Sequence, residues 1–183
     1  MGSLTGEKRL AITLLVTLLI MSGEMVGGFL SNSLALLSDA GHMVTDALAI
    51  ALGLVAVRIS RKPADRKATF GYQRVGLVAA LINGLSLLVI AVLIFHESYR
   101  RFLAPPAVDI PVMLSIAALG LAGNLAMAFI LGHRHKDITL RSVWLHVLGD
   151  TLSSAGVIVS GIAIHFTGWT YADPVASTLI GCV

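Results

Sequence analysis

Five apolar stretches dominate the chain, near residues 10–30, 34–57, 75–95, 110–131 and 143–165. Each is long enough to cross a bilayer as a helix, which takes about 20 residues. Hydrocarbon offers no water to bond a free backbone N–H or C=O, so runs of this length have to close their hydrogen bonds internally, as helices do. The composition agrees: 56% of the 183 residues are hydrophobic and only 13% are charged, where a soluble domain devotes about a quarter to charge. An all-α membrane protein is expected. A sixth apolar run, 175–183, is too short to span. The expectation is therefore one transmembrane domain over 1–183, a six-helix bundle whose sixth helix is truncated. The first run follows Lys8 and Arg9 as a signal peptide would, but it continues for about 20 residues without a small-residue cleavage site, and reads as a retained span.

The pI near 9.4 raises nucleic acid as a partner, and the placement of the basic residues removes it. Eleven of the thirteen Lys and Arg fall in the N-terminal segment (Lys8, Arg9), the second-to-third connection (Arg58, Arg61, Lys62, Arg66, Lys67, Arg74) and the fourth-to-fifth connection (Arg134, Lys136, Arg141). Those segments share one side of a six-helix topology; Arg100 and Arg101 lie opposite. The positive-inside bias puts the N-terminus in the cytoplasm. Cys182 is the only cysteine, which excludes a disulfide framework and a thiolate cluster.

Within the spans, ionisable residues are the anomaly, at about 2.5–3.5 kcal/mol each at a helix centre. "LLSDAGHMVTDALAI" holds Asp39, His42 and Asp46 at i, i+3 and i+7, on one stripe of a helix. "WLHVLGDTLSS" repeats the theme with His146 and Asp150. Two helices thus each present His-x-x-x-Asp. Two imidazole nitrogens and two carboxylate oxygens complete a tetrahedral shell for Zn²⁺, and the same donors admit Cd²⁺, Co²⁺ or Ni²⁺. The plainer alternative is that each Asp and His merely pair with one another or with backbone. Glu24, late in the first span, could relay protons, line a wet entrance, or snorkel to the interface; Asp39 shares the metal stripe and is expected to line the path. His133 and His135 in "HRHKD" read as a solvated pair, and Asn83 and Asn124 as interhelical hydrogen-bond partners.

These residues resemble the cation diffusion facilitator family, whose members export metal in exchange for protons. "SNSLALLSDAGHMVTD" is similar to its second-helix signature, "TFGYQR" to its lead into helix three, "LHVLGDTLSSAGV" to its fifth-helix signature and "YADPVAS" to the start of its sixth helix. The resemblance implies a six-helix transmembrane domain, usually homodimeric when full length, followed by a cytoplasmic α/β domain, which is expected to be absent from these 183 residues. It places the transport site at His42, Asp46, His146 and Asp150, with a histidine at the first position typical of zinc-selective members. Zn²⁺ is then the transported substrate, with no organic cofactor, and the counter-ion is the proton. The expected setting is the lipid bilayer of a bacterial inner membrane.

The function expected is secondary active export of Zn²⁺, Cd²⁺ included, by alternating access. A metal-gated channel or a metal-binding membrane receptor is the alternative. An enzyme is not expected. "VLGD" at 147–150 is similar to the Gly-x-Gly-Asp of membrane aspartyl proteases, but Val147 stands at the first glycine, and six histidines are too few for a membrane di-iron desaturase.

Overall fold

The polar triplet at 31–33 ends one helix and starts the next, and the backbone shows how. In the computed structural model, which describes residues 6–60, 75–131 and 138–182, helix α1 (Gly6–Ser31) stops where Asn32 takes a left-handed φ of 55°. The amide of Ser33 then closes back on the Gly28 carbonyl at 3.1 Å, the bond that seals a helix end after a left-handed residue. Helix α2 (Leu34–Ser60) begins immediately with Ser33 as its N-cap, whose Oγ accepts the Leu36 N–H at 3.3 Å.

Four further helices follow: α3 (Val75–Leu103), α4 (Ile110–Leu131), α5 (Ile138–Thr167) and α6 (Ala172–Ile180). No strand occurs among the described residues. Among the described residues, four helices, α1, α3, α4 and α5, are long and apolar enough to cross a membrane. The 27 residues of α2 match them in length, and α2 carries the aspartates and histidine that the sequence singles out.

Some helices run past their apolar stretches. Helix α3 continues to Leu103 because Glu97 pairs with Arg100 at i+3 and Arg101 at i+4, which supports two polar turns beyond the hydrocarbon-length segment. Helix α6 starts at Ala172, with Asp173 and Pro174 both in its first turn, where a proline's missing N–H costs nothing. Helix α5 begins at Ile138. The histidines of "HRHKD", the "TFGYQR" segment and most of the basic loop residues lie outside the described residues.

Helices α1, α2, α5 and α4 pack as a ring, each against the next. Helix α6 lies in the groove between α2 and α5, and α3 is outermost, resting on α2 and α6. Only Ser98 and Arg101 of α3 are buried, and its leucines at 77, 81, 85 and 88 face outward, as a lipid-facing helix requires. One apolar core joins Ala35, Leu36, Met113, Ala117, Val157 and Ile180 near the α1–α2 turn. A second joins Met127, Leu131 and Val147 with Val16, Ile20 and Trp144 toward the other end.

A polar clamp ties the first of these ends together. Asp173 of α6 accepts the Ser33 hydroxyl at 2.6 Å, the Leu34 N–H at 2.8 Å and the Ala35 N–H at 3.2 Å. With the Ser33 cap, the first three amides of α2 are satisfied, two of them by a carboxylate that also favours the helix dipole. Arg101 lies 3.6 Å from the same carboxylate and donates to the Asn32 carbonyl at 2.6 Å and to Asn32 Oδ1 at 3.1 Å. Just below, Ser38, Ser177 and Ser98 connect α2, α6 and α3 through buried hydroxyls. Replacing Asp173 with alanine strands three donors and a nearly buried guanidinium. The D173A variant is expected to lose about 2–4 kcal/mol, read as a lower thermal unfolding midpoint in detergent.

Candidate metal centre

Helical spacing fixes which side chains share a face, and the packing of α2 on α5 fixes where those faces meet. His42 and Asp46 stand one turn apart on α2, with His42 Nε2 at 3.5 Å from Asp46 Oδ2. His146 and Asp150 stand one turn apart on α5, with His146 Nε2 at 3.7 Å from Asp150 Oδ2. Between the helices, His146 Nε2 comes within 3.4 Å of Asp46 Oδ2, and the two imidazole rings lie 6.3 Å apart, tilted by 40°. Ligand atoms of His42, His146 and Asp150 all fall within 4.8 Å of one another.

Those separations have a chemical meaning. A tetrahedral Zn²⁺ shell with bonds of about 2.0–2.1 Å has edges of about 3.3–3.4 Å between donors. The contacts of Asp46 with the two imidazoles are already near that edge, and the Asp150 contact is a few tenths of an ångström longer. Asp46 Oδ2 and both carboxylate oxygens of Asp150 are buried without a hydrogen-bond partner in the protein. Orphaned acceptors of that kind are costly unless a cation or water meets them. The centre is not sealed, however. The side chains of His42, Asp46 and His146 are 26%, 30% and 39% exposed, against 1% for Asp150. A cavity of about 470 Å³ between α2, α3 and α6 reaches it, with His42, Thr45 and Asp46 on one wall and Leu87, Leu88 and Ile94 opposite.

Asp39 is on the same helix face but engages different partners. Its Oδ2 accepts the Ser154 hydroxyl at 3.3 Å, and Ser154 in turn accepts from Asn124 Nδ2 at 3.3 Å. Asn124 thereby bridges α4 to α5, whereas Asn83 Oδ1 on α3 has no protein partner. Glu24 does not snorkel: it is fully buried in α1, against Gly120 of α4, and close enough to Asp39 and Asp150 to interact electrostatically with both. Sequence reading passed over Ser154 and Asp173. Ser154 follows Asp150 at i+4, so the same helical stripe could have flagged it; no local signal ties Asp173 to the start of α2.

Glycines set the tight spacing around the carboxylates. A Cβ on Gly120 would collide with Glu24 Oε1, and one on Gly123 would come within 2.7 Å of Ile20 Cδ1. At Gly149, beside Asp150, a Cβ would meet nothing within 4 Å. Gly120→Ala is expected to destabilise by about 1–3 kcal/mol through overpacking. Gly149→Ala is expected to be neutral or to stabilise by up to about 1 kcal/mol, and thermal unfolding of the two variants side by side checks the contrast.

The family model of the cation efflux transmembrane domain matches residues 10–183. The chain is similar to the zinc transporter ZitB of Escherichia coli, 45% identical over 175 residues that cover 94% of this chain and 56% of that protein. It is similar also to the cadmium, cobalt and zinc/H(+)-K(+) antiporter of Bacillus velezensis, at 42% over 174 residues, 91% of this chain and 56% of that protein. The metal cation efflux system protein CzcD of Cupriavidus metallidurans is 41% identical over 176 residues, 96% of this chain and 56% of that protein. The chain spans about half the length of these curated relatives.

Proposed function

The chain belongs to the cation efflux family, a transporter family and not an enzyme class, and on that premise we propose that it exports Zn²⁺ from the cytoplasm in exchange for protons. Cd²⁺ and related divalent ions are further substrates of the same centre. The observation that carries this reading is the convergence of His42, Asp46, His146 and Asp150 from α2 and α5, at separations close to a tetrahedral edge. The names of the relatives, which include zinc transporters and an antiporter, support the substrate and the exchange.

The chemistry of the ligand set supplies the coupling. Metal binds neutral imidazole and ionised carboxylate, so loading displaces protons and protonation expels the ion. With two carboxylates around a dication, the loaded centre is close to neutral, which suits a span. Alternating access then needs the centre to open to one side at a time. Its partial exposure, together with the polar clamp and the apolar core at the α1–α2 turn, supports loading from the end where the basic loops lie. The distribution of Lys and Arg supports assigning that end to the cytoplasm, in a bacterial inner membrane. In the whole protein, a cytoplasmic α/β domain and a homodimer are the expected complement.

Reconstituted in proteoliposomes with an imposed pH gradient, the protein is expected to accumulate Zn²⁺ against its gradient. H42A and D150N should each lower that flux at least about tenfold, since each removes one of four ligands, while folding is retained. Zinc movement that persists after the pH gradient is collapsed would instead favour a metal-gated channel, and binding without flux a metal-binding receptor. Zinc affinity should also fall as pH drops, because protons compete with the metal for the imidazole and carboxylate donors; titration calorimetry at several pH values checks this.

A further inference from the structure

Neither the metal ligands nor the Asp173 clamp accounts for two further buried acids, Glu24 and Asp39. Both carboxylate oxygens of Glu24, Oδ1 of Asp39 and Oδ1 of Asn124 are buried and have no hydrogen-bond partner in the protein. The donor bonds within this cluster go elsewhere: Asn124 Nδ2 donates to Ser154, and the Ser154 hydroxyl donates to Asp39 Oδ2. The chain of bonds therefore runs one way, from amide to hydroxyl to carboxylate, and leaves four acceptors facing no protein donor.

The charge surroundings sharpen the imbalance. Glu24 lies on α1, which packs on α2 and α4. From α2 it faces Asp39, from α5 it is within electrostatic reach of Asp150, and α4 carries no charged residue at all. Asp39 is within electrostatic reach of Glu24 and Asp150, with His42 and Asp46 further along its own helix. The charged groups of α3 and α6 that are near α2, Glu97, Arg101 and Asp173, are engaged with one another and with Asn32 at the α1–α2 turn. Among the described residues, no cation offsets Glu24 or Asp39. Two carboxylates in hydrocarbon without a counter-charge are strongly penalised.

We propose that Glu24 and Asp39 form a proton-carrying site distinct from the four metal ligands, with Ser154 and Asn124 as its positioning residues. A proton on one carboxyl cancels a buried charge and supplies the donor that the orphaned acceptors lack. Because the pair and Asp150 are within electrostatic reach, a dication bound at Asp150 repels a proton on the pair, and a proton there weakens the hold on the metal. Loading and protonation then oppose each other across two sites as well as within one. This inference rests on the metal-binding reading above and adds where the exchanged protons reside.

The test is the number of protons released per Zn²⁺ bound, from calorimetric titrations of the detergent-solubilised protein in buffers of different ionisation enthalpy. E24Q and D39N are each expected to bind Zn²⁺ with affinity within about fivefold of wild type at pH 7.5, and to release fewer protons by about half a proton or more. The D39N amide oxygen can still accept the Ser154 hydroxyl, so this variant carries the test if E24Q does not fold. S154A should shift the pH midpoint of proton release without removing it. An unchanged proton count in both carboxylate variants overturns the proposal, as does a loss of zinc binding as complete as that of D150N, which would make the pair part of the metal shell. Absence of zinc binding in wild type would instead fail the metal centre itself.

Discussion

The structure depends on meeting charge inside an apolar bundle, and α2 is where most of that demand falls. Its first turn receives the Asp173 carboxylate of α6. Its next turn holds Asp39, tied through Ser154 to Asn124. One and two turns further stand His42 and Asp46, opposite His146 and Asp150. Each level uses a different neighbour to compensate a charge. At the outer clamp, backbone amides and a guanidinium do so, which makes a fixed joint. At the two inner levels the protein leaves oxygens unmatched, and unmatched oxygens are where an exchangeable cation gains the most.

That contrast divides the molecule into parts with different mechanical character. Around the clamp, α2, α3 and α6 are held by Asp173, Arg101 and the serine hydroxyls of 38, 98 and 177, bonds that are directional and buried. Along α1, α4 and α5, apart from the Asn124–Ser154 bond, contact is made by small residues: Gly27 against Ile116, Gly123 against Ile20 and Gly161 against Leu114. Packing of that kind holds helices close without fixing them by directional bonds. The four proposed metal ligands lie on the line between the two groups, since His42 and Asp46 belong to the first and His146 and Asp150 to the second. A rocking of one group on the other would change the separations across that line and leave the pair on each helix intact.

How much of this was legible follows from what helical geometry does and does not fix. The one-turn spacing of His42 with Asp46 and of His146 with Asp150 is a property of each helix alone, so the sequence displays it. The distance between α2 and α5 is not, and the 3.4 Å approach of His146 to Asp46 had to come from the packing. Asp39 shows the limit within a single helix: it shares a stripe with Asp46, yet its level along the axis gives it Ser154 as a partner instead of an imidazole. Glu24 was open between the interface and the interior because a span's rotation is set by its neighbours; Gly120 provides the space that lets it point inward. Asp173 was read only as the start of a helix, because the amides it caps are some 140 positions earlier.

If the four side chains hold a dication as proposed, the imidazole at position 42 follows from the same charge arithmetic. With His42 and His146 neutral and Asp46 and Asp150 ionised, four ligands carry two negative charges, and a dication brings the centre to zero. A third carboxylate in place of His42 would leave the loaded centre at minus one, in a span where an uncompensated charge costs about 2.5–3.5 kcal/mol. It would also stand close to Asp39 and Glu24, which already lack a counter-cation. Two nitrogen donors further bias the centre toward ions that bind imidazole well and away from hard, oxygen-seeking ions such as Mg²⁺. On the proposed metal-binding reading, the histidine would serve two ends with one side chain: keeping the loaded state close to neutral, and narrowing which dications are worth desolvating.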